Sequence, residues 1–508
     1  MAKEKKKFSF PSAYTVILLV LLLVMILTYF IPAGKYATLS YDMDKKEFVL
    51  TEPKGETSVE PGNQATLDKY GINTNLDKFK DGSVYKPVAI PNSYEELERE
   101  NHGFFGAVKE FLNAPIQGLE ESISVITFVL ILGGIIGIIN KTGAFAAGMN
   151  SLSKKLNGRE KWLIILTMTL ISIGGTTFGL AEETIAFYPI LVPIFIAAGY
   201  DALVAIATIY LGSCIGTLGS TVNPFSIVIA SNTAGVTFTD GMGLRLAMLI
   251  IGTLMCIAYT VRYAERVRKN PETSLIYDQK EMLEKKFLHS DTDAEIPVFD
   301  LRKKLMLIIF ALGFVVMVYG VKELNWMFVE ISSLFLLITF ILALISGLNE
   351  KTFVGEFVTG ASELLSVALV IALARGVTII MENAMISDTL MYQLSNGVSS
   401  MKGPVFTTVL YFVYILLGFF IPSSSGLAVL SMPIMAPLAD VVNVDRALVI
   451  DAYNWGQGII SFIAPTGLVL ASLAMVEITF DKWVKFVMKL MIAIAIVSII
   501  LLAIGVYL

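Results

Sequence analysis

The run from Ala202 to Thr239, ALVAIATIYLGSCIGTLGSTVNPFSIVIASNTAGVTFT, holds no charged residue over 38 positions. A membrane helix needs roughly 20 mostly apolar residues, so the length alone suits a bilayer. Its middle, however, reads Gly216-Thr217-Leu218-Gly219-Ser220-Thr221-Val222-Asn223-Pro224, and glycines followed by a proline work against an unbroken helix. The run therefore reads as a helix broken at membrane depth. Non-helical backbone survives there only where protein or a polar cavity satisfies its amides and carbonyls.

Composition extends this reading to the whole chain. Of 508 residues, 55% are hydrophobic and 16% charged, with mean hydropathy +0.71. A soluble protein carries about a quarter charged residues, and a single soluble core stops growing well before this length. A formal net charge of -5 gives no basic stripe for nucleic acid. Cys214 and Cys256 lie inside apolar stretches and read as packing residues. His102 and His289 are the only histidines, so imidazole metal or triad chemistry has almost no material. The sequence lacks a Gly-rich phosphate loop ending in Gly-Lys-Ser/Thr, which argues against an ATP-driven pump and for no cofactor. With no plausible nucleophile–base set, an enzyme is the less favoured class.

The first span, Ala13 to Ile31, follows Lys3, Lys5, Lys6 and Lys7, which places the N-terminus in the cytoplasm by the positive-inside bias. A polar insert, Tyr36 to His102, is then extracytoplasmic, a small cap or ordered loop. An amphipathic stretch, Phe104 to Leu119, leads to a second span, Ser122 to Asn140. Lys141, Lys154, Lys155, Arg159 and Lys161 mark the next loop as cytoplasmic. Trp162 to Phe178 enters, and Thr184 to Tyr200 leaves by the same side. The sixth helix closes on Arg262, Arg266, Arg268 and Lys269. Later spans are Leu305–Val321, Ile331–Leu348, Leu364–Met381, Val405–Ile421 and Gly426–Leu438, an interrupted run Ala452–Val476, and Trp483–Leu508.

An internal repeat organises these spans. Phe111, Gly118, Glu121 and Ser124 stand beside Phe353, Gly360, Glu363 and Ser366 at one offset, 363 − 121 = 242. Pro189, Pro193, Asp201 and Gly212 stand beside Pro433, Pro437, Asp445 and Gly456 at 433 − 189 = 244. A shared offset over such a length is hard to obtain from apolar bias alone. Loop charges orient the copies oppositely, and inverted repeats with paired broken helices are a transporter signature. The expected fold is an all-α polytopic membrane protein of two inverted repeats with re-entrant hairpins. Its divisions are residues 1–35 (cytoplasmic N-terminus and first helix), 36–102 (insert), 103–265 (first repeat), 266–304 (cytoplasmic linker), 305–348 (connecting helices) and 349–508 (second repeat).

The site should lie where four interruptions meet. Two are hairpin tips, Gly174 to Thr184 (with Thr176, Thr177, Glu182 and Glu183) and Pro422 to Gly426 (with Ser423, Ser424 and Ser425). Two are mid-helix breaks, around Asn223 and around Ala464-Pro465-Thr466-Gly467. Kinking by Gly and Pro is common in membrane helices and is the bland reading of any one break; four in symmetric positions favour a site. Carboxylates at membrane depth are expensive unless they face a cavity or a cation. One glutamate of Glu182 and Glu183 should meet a cation and the other cap a half-helix, while the serines suit a carboxylate. Asn454, between Tyr453 and Trp455, offers an amide and an aromatic wall. Arg375 either reads a substrate carboxylate or pairs with Glu182, Glu183 or Asp451. Glu382 and Asp388 read as solvated.

Gly179-Leu180-Ala181-Glu182-Glu183-Thr184, Asn223-Pro224-Phe225, Ser423-Ser424-Ser425-Gly426-Leu427-Ala428, Met432-Pro433-Ile434-Met435-Ala436-Pro437-Leu438 and Arg266-Val267-Arg268-Lys269-Asn270-Pro271 together resemble the YfcC-type transporters, grouped with the anaerobic four-carbon dicarboxylate carriers in the ion transporter superfamily. The resemblance covers nearly the whole chain. It implies a cell-membrane elevator-type carrier, a homodimer in contact with lipid, with arginine/ornithine exchange as its activity. A Na⁺- or H⁺-coupled carboxylate carrier, with Arg375 as anion reader, is the alternative.

Overall fold

The structure is a computed structural model that describes residues 12–72, 74–82, 84–98, 103–145, 147, 148, 151, 159–288, 298–324, 326–398, 401 and 403–508. The N-terminal lysines, Lys154, Lys155, Lys402 and both histidines lie outside the described residues. Seven described helices are long and apolar enough to cross a membrane, and three shorter apolar helices accompany them.

Helix α1 (Ala13–Leu27) leads into the insert, which is built on strands rather than loops: β1 (Gly34–Lys35), β2 (Thr38–Asp42), β3 (Glu47–Thr51), β4 (Thr57–Glu60), β5 (Val88–Ala89) and β6 (Glu95–Glu96). The strands form an antiparallel sheet ordered β4-β3-β2-β5 and a small β1-β6 pair. Leu39, Phe48, Leu50, Phe79 and Val88 give the insert a buried core of its own. The expectation of an all-α chain is corrected here.

Helices α2 (Gly103–Glu121) and α3 (Ile123–Lys141) follow, then α4 (Lys161–Phe178), α5 (Tyr188–Ala197), α6 (Ala202–Leu218), α7 (Ile229–Ala234) and α8 (Met242–Lys269). The linker holds α9 (Lys280–Leu288). Then come α10 (Leu301–Leu324), α11 (Phe328–Ser346), α12 (Glu350–Glu363), α13 (Leu365–Asn383), α14 (Ser387–Val398), α15 (Gly403–Phe420), α16 (Ser424–Val441), α17 (Arg446–Ser461), α18 (Val469–Met475) and α19 (Phe480–Gly505).

Two packing groups result. In one, α2 lies on α13, and α3 lies on α12 and α11. Small residues set these contacts, because lipid gives apolar helices no hydrophobic reason to associate and close backbone approach takes over. A Cβ at Gly133 would stand 2.5 Å from Gly360 O, and one at Gly376 would stand 3.0 Å from Ala114 O. Phe128, Phe310, Phe314 and Phe335 fill the space between α3, α10 and α11. In the other group, α4 packs on α6, α15 on α17, α7 on α16, and α8 on α19. The second group carries both hairpins and both breaks.

The linker straps one end of the second group. Gln279 Nε2 donates to Glu477 O at 3.1 Å, Lys286 pairs with Glu477, and Lys482 Nζ reaches Asp278 Oδ1 at 2.7 Å.

Candidate functional site

Asp201 and Asp445 start the two broken helices in the same way. Asp201 Oδ1 accepts from Val204 N at 2.9 Å, and Asp445 Oδ1 accepts from Ala447 N at 2.8 Å. Each side chain satisfies one of the orphan amides of a helix start.

At the first hairpin, α4 ends on Gly179 with φ +75, the left-handed region where glycine carries no Cβ penalty. A Cβ there would also stand 2.8 Å from Asn223 Oδ1. Thr176 Oγ1 donates to Gly219 O at 2.9 Å and accepts from Thr221 N at 3.0 Å. Asn223 Oδ1 accepts from Phe225 N at 2.9 Å, and its amide approaches Ser220 Oγ at 3.2 Å and Gly175 O at 3.4 Å. Thr177 Oγ1 donates to Ile173 O of its own helix at 2.7 Å. The first tip and the first break are thus one hydrogen-bonded unit, in which Thr176 and Asn223 hold the backbone. Glu183 Oε2 accepts from Ala181 N at 3.2 Å, a local bond to the residue before the turn Glu182–Phe187, which has no side-chain cap. Glu182 has no ion-pair partner among the described residues, and both glutamates are half-buried residues.

The second hairpin and break repeat the pattern. Ser423 begins α16, and its Oγ accepts from Gly426 N at 3.2 Å. Tyr453 OH donates to Ser424 O at 2.7 Å, Gln457 Nε2 to Pro422 O at 3.2 Å, and Thr466 Oγ1 to Phe419 O at 2.8 Å. Ser423 and Ser424 are partly exposed and Ser425 is buried.

The two broken helices also cap each other. Asn454 Nδ2 of α17 donates to Leu218 O at 2.6 Å and Thr217 O at 3.1 Å, the last carbonyls before the first break. Tyr210 OH of α6 donates to Ser461 O at 2.7 Å, the last carbonyl of α17. The bonds are mates at the repeat offset, since 454 − 210 = 244 and 461 − 217 = 244. Ser213 and Gln457 are mates as well (457 − 213 = 244); each donates to its own hairpin tip, Ser213 Oγ to Leu180 O at 2.6 Å. Tyr210, Ser213 and Gln457 escaped the sequence reading, although the offset applied to Asn454 leads straight to Tyr210.

Three expectations are corrected. Arg375 pairs with neither Glu182 nor Glu183: its Nε lies 2.6 Å from Glu121 Oε2 and its Nη2 3.9 Å from Glu382 Oε1. Asp451 pairs instead with Arg245 on α8, Nε to Oδ1 at 3.2 Å, both side chains 0% exposed. Asp388 is held by the insert, its Oδ2 accepting from Tyr36 N at 2.9 Å. Tyr453 and Trp455 are fully buried, the Tyr453 ring lying edge-on to Tyr414 at 5.4 Å, so neither ring forms an open wall beside Asn454.

The sequence model of the C4-dicarboxylate anaerobic carrier family (DcuC) matches residues 10–507. A protein of Haemophilus influenzae, described as uncharacterized, is 44% identical over 99% of this chain and 98% of its own. A protein of Escherichia coli named "Putative basic amino acid antiporter YfcC" is 27% identical over 95% of this chain and 94% of its own. Among solved structures, the Alcanivorax borkumensis YdaH transporter matches at TM-score 0.39 and 12% identity, covering 97% of this chain and 98% of that one. Neisseria gonorrhoeae MtrF matches at TM-score 0.39 and 13% identity, covering 98% and 96%.

Proposed function

The chain belongs to the C4-dicarboxylate anaerobic carrier family of membrane transporters, and from that premise we propose that it exchanges basic amino acids, arginine against ornithine, across the cytoplasmic membrane. The observation that carries the substrate reading is the pair Glu182 and Glu183 at the first hairpin tip. No cation pairs with either among the described residues, whereas the equivalent tip offers only the hydroxyls of Ser423, Ser424 and Ser425. A substrate with a cationic end and a carboxylate end fits that inequality. The name of the Escherichia coli relative points the same way. Exchange of like-charged solutes is close to electroneutral and needs no ATP.

In this reading residues 103–265 and 349–508 are inverted repeats, and the group holding both hairpins slides past the other as an elevator within a homodimer. Support comes from the mated hydrogen bonds at offset 244 and from the close-packed glycines Gly118 and Gly134, whose mates at 242 are Gly360 and Gly376. Thr176, Thr177, Asn223, Asn454 and Thr466 shape the backbone around the solute, with the cation at Glu182 and Glu183 and the carboxylate near Ser423 to Ser425.

The test is counterflow in proteoliposomes loaded with ornithine, with labelled arginine outside and no ion gradient. Glu182→Gln or Glu183→Gln should raise the half-saturating arginine concentration at least about tenfold, equivalent to roughly 1.4 kcal/mol. Unchanged affinity in both variants would remove the assignment.

The family description favours a second reading, a carboxylate carrier coupled to Na⁺ or H⁺. It predicts gradient-driven uptake of a four-carbon dicarboxylate that Arg375→Ala abolishes. Arg375 would first have to release Glu121, to which it is bonded at 2.6 Å.

A further inference from the structure

The polar insert touches the rest of the molecule in two unlike ways. Along α14 its attachment is dense. Gly34 N donates to Met385 O at 2.9 Å, Tyr36 N to Asp388 Oδ2 at 2.9 Å, and Tyr94 OH shares a hydrogen with Thr389 Oγ1 at 2.9 Å. The Tyr94 ring stacks on Tyr392 with centroids 4.2 Å apart and planes 8° apart. Over the hairpins β5 packs on α16, and two side chains of the described residues add polar contacts. Thr74 Oγ1 donates to Asn232 O at the end of α7, 2.8 Å away, and Lys86 Nζ reaches Ser423 Oγ at 3.4 Å. That last distance is at the weak end of hydrogen bonding.

The insert has a core of its own, and lifting it about α14 would keep the hydrogen bonds and the stacked ring pair there while parting β5 from α16 and breaking two polar contacts. We propose that the insert is a lid over the second hairpin, hinged on α14 and latched by Lys86 on Ser423, and that it lifts to admit solute from the insert side.

Lys86 suits a latch that opens. Burial pulls its ammonium below the ordinary lysine range and nearby Arg375 adds to that, while Glu382 opposes it. Held charged against the seat, the side chain gains when it returns to water. The ammonium also lies beside Gly426, where a Cβ would be in ordinary contact with Lys86 Nζ at 3.9 Å. Where the ammonium rests is where the proposed function places the substrate carboxylate, so the lid rests on that reading for its meaning but not for its geometry. A closed lid fills the serine end of the site with a tethered cation, and an arriving solute takes its place.

Two measurements test the lid. The first needs no substrate. Ser425→Cys, in a background with Cys214 and Cys256 replaced by alanine, is labelled with a membrane-impermeant maleimide in right-side-out and in inverted vesicles. Adding Lys86→Ala should speed labelling from the insert side several-fold and leave the opposite side unchanged; equal rates with and without Lys86 would overturn the latch.

The second fixes the lid shut. Lys86→Cys and Gly426→Cys are bridged with a short bis-methanethiosulfonate, which restores the reach that the cysteine lacks. Arginine counterflow should stop on bridging and return with dithiothreitol. Counterflow that continues through the bridge would show the insert riding with the hairpins rather than lifting, and failure of the bridge to form would refute the contact. Should the unbridged protein take up no arginine at all, the substrate reading has failed, and the labelling rates alone decide the lid.

Discussion

Arg245 and Asp451 are both 0% exposed and meet through a single Nε–Oδ1 approach of 3.2 Å. Backbone takes up Nη2 alone, which donates to Phe238 O at 2.9 Å and to Asp240 O, while Nη1 is buried without a hydrogen-bond partner. Removing one partner of such a pair strands the other charge, at about 3–5 kcal/mol, whereas replacing both by apolar residues is often neutral. Arg245→Met should therefore lower the melting temperature in detergent sharply, and Arg245→Met with Asp451→Leu should recover most of the loss. A double variant as unstable as the single one would mean that the Phe238 and Asp240 carbonyls dominate. Asn454→Asp is a sharper probe of the break. It keeps size but removes the donor, leaving Leu218 O without that bond, so it should destabilise by about 1–3 kcal/mol in the same melting assay. At this scale the sequence was partly legible. Asn454 stood out because an amide in an apolar run is conspicuous. Arg245 did not, because an arginine in the first turn of a helix looks like a boundary charge. Arg375 is conspicuous as an intramembrane charge but its partner is not, because Glu121 lies 254 residues away in the chain.

Helices were legible from hydropathy because bilayer thickness fixes their length; α13 spans Leu365–Asn383 where Leu364–Met381 was expected. The strands of the insert were not. Thr38-Leu39-Ser40-Tyr41 alternates as a strand should, but five residues among prolines, glycines and charges give a weak signal. The glycine contacts were legible only as coincidences of numbering, because a sequence does not say which helices touch. Gly360→Val tests them. A branched side chain would meet the Gly133 carbonyl and the Gly137 backbone, neither of which can yield without separating α3 from α12. The expected loss is about 1–3 kcal/mol or more, read as a lower melting temperature, while Gly355→Val on the same helix, with open space around it, should melt within about a degree of the parent.

Across the whole molecule, the two packing groups meet partly through Phe187, next to the first hairpin tip, whose ring centroid lies 5.2 Å from that of Phe314 on α10. If the hairpin group slides, that contact must break in every cycle. Phe187→Cys with Phe314→Cys, bridged by a short thiol cross-linker, should halt counterflow reversibly; transport that persists under the bridge would exclude sliding at this seam. The mated bonds between α6 and α17 predict the opposite for Tyr210 and Ser461, which stay together throughout.

Lys86 and Ser423 are 337 residues apart in the chain. At about 5–20 residues per second of synthesis, the ribosome finishes the insert roughly 20 to 70 seconds before the serine it will rest on exists. When the insert is finished it has no seat, since neither the α7 end nor α14 has yet been made, and for much of that interval it must survive as a free-standing fold. Its private core of Leu39, Phe48, Leu50, Phe79 and Val88 is what allows it to wait. Damage to that core should be felt first in biogenesis, as degraded chains that never accumulate, before any effect on the finished carrier can be measured.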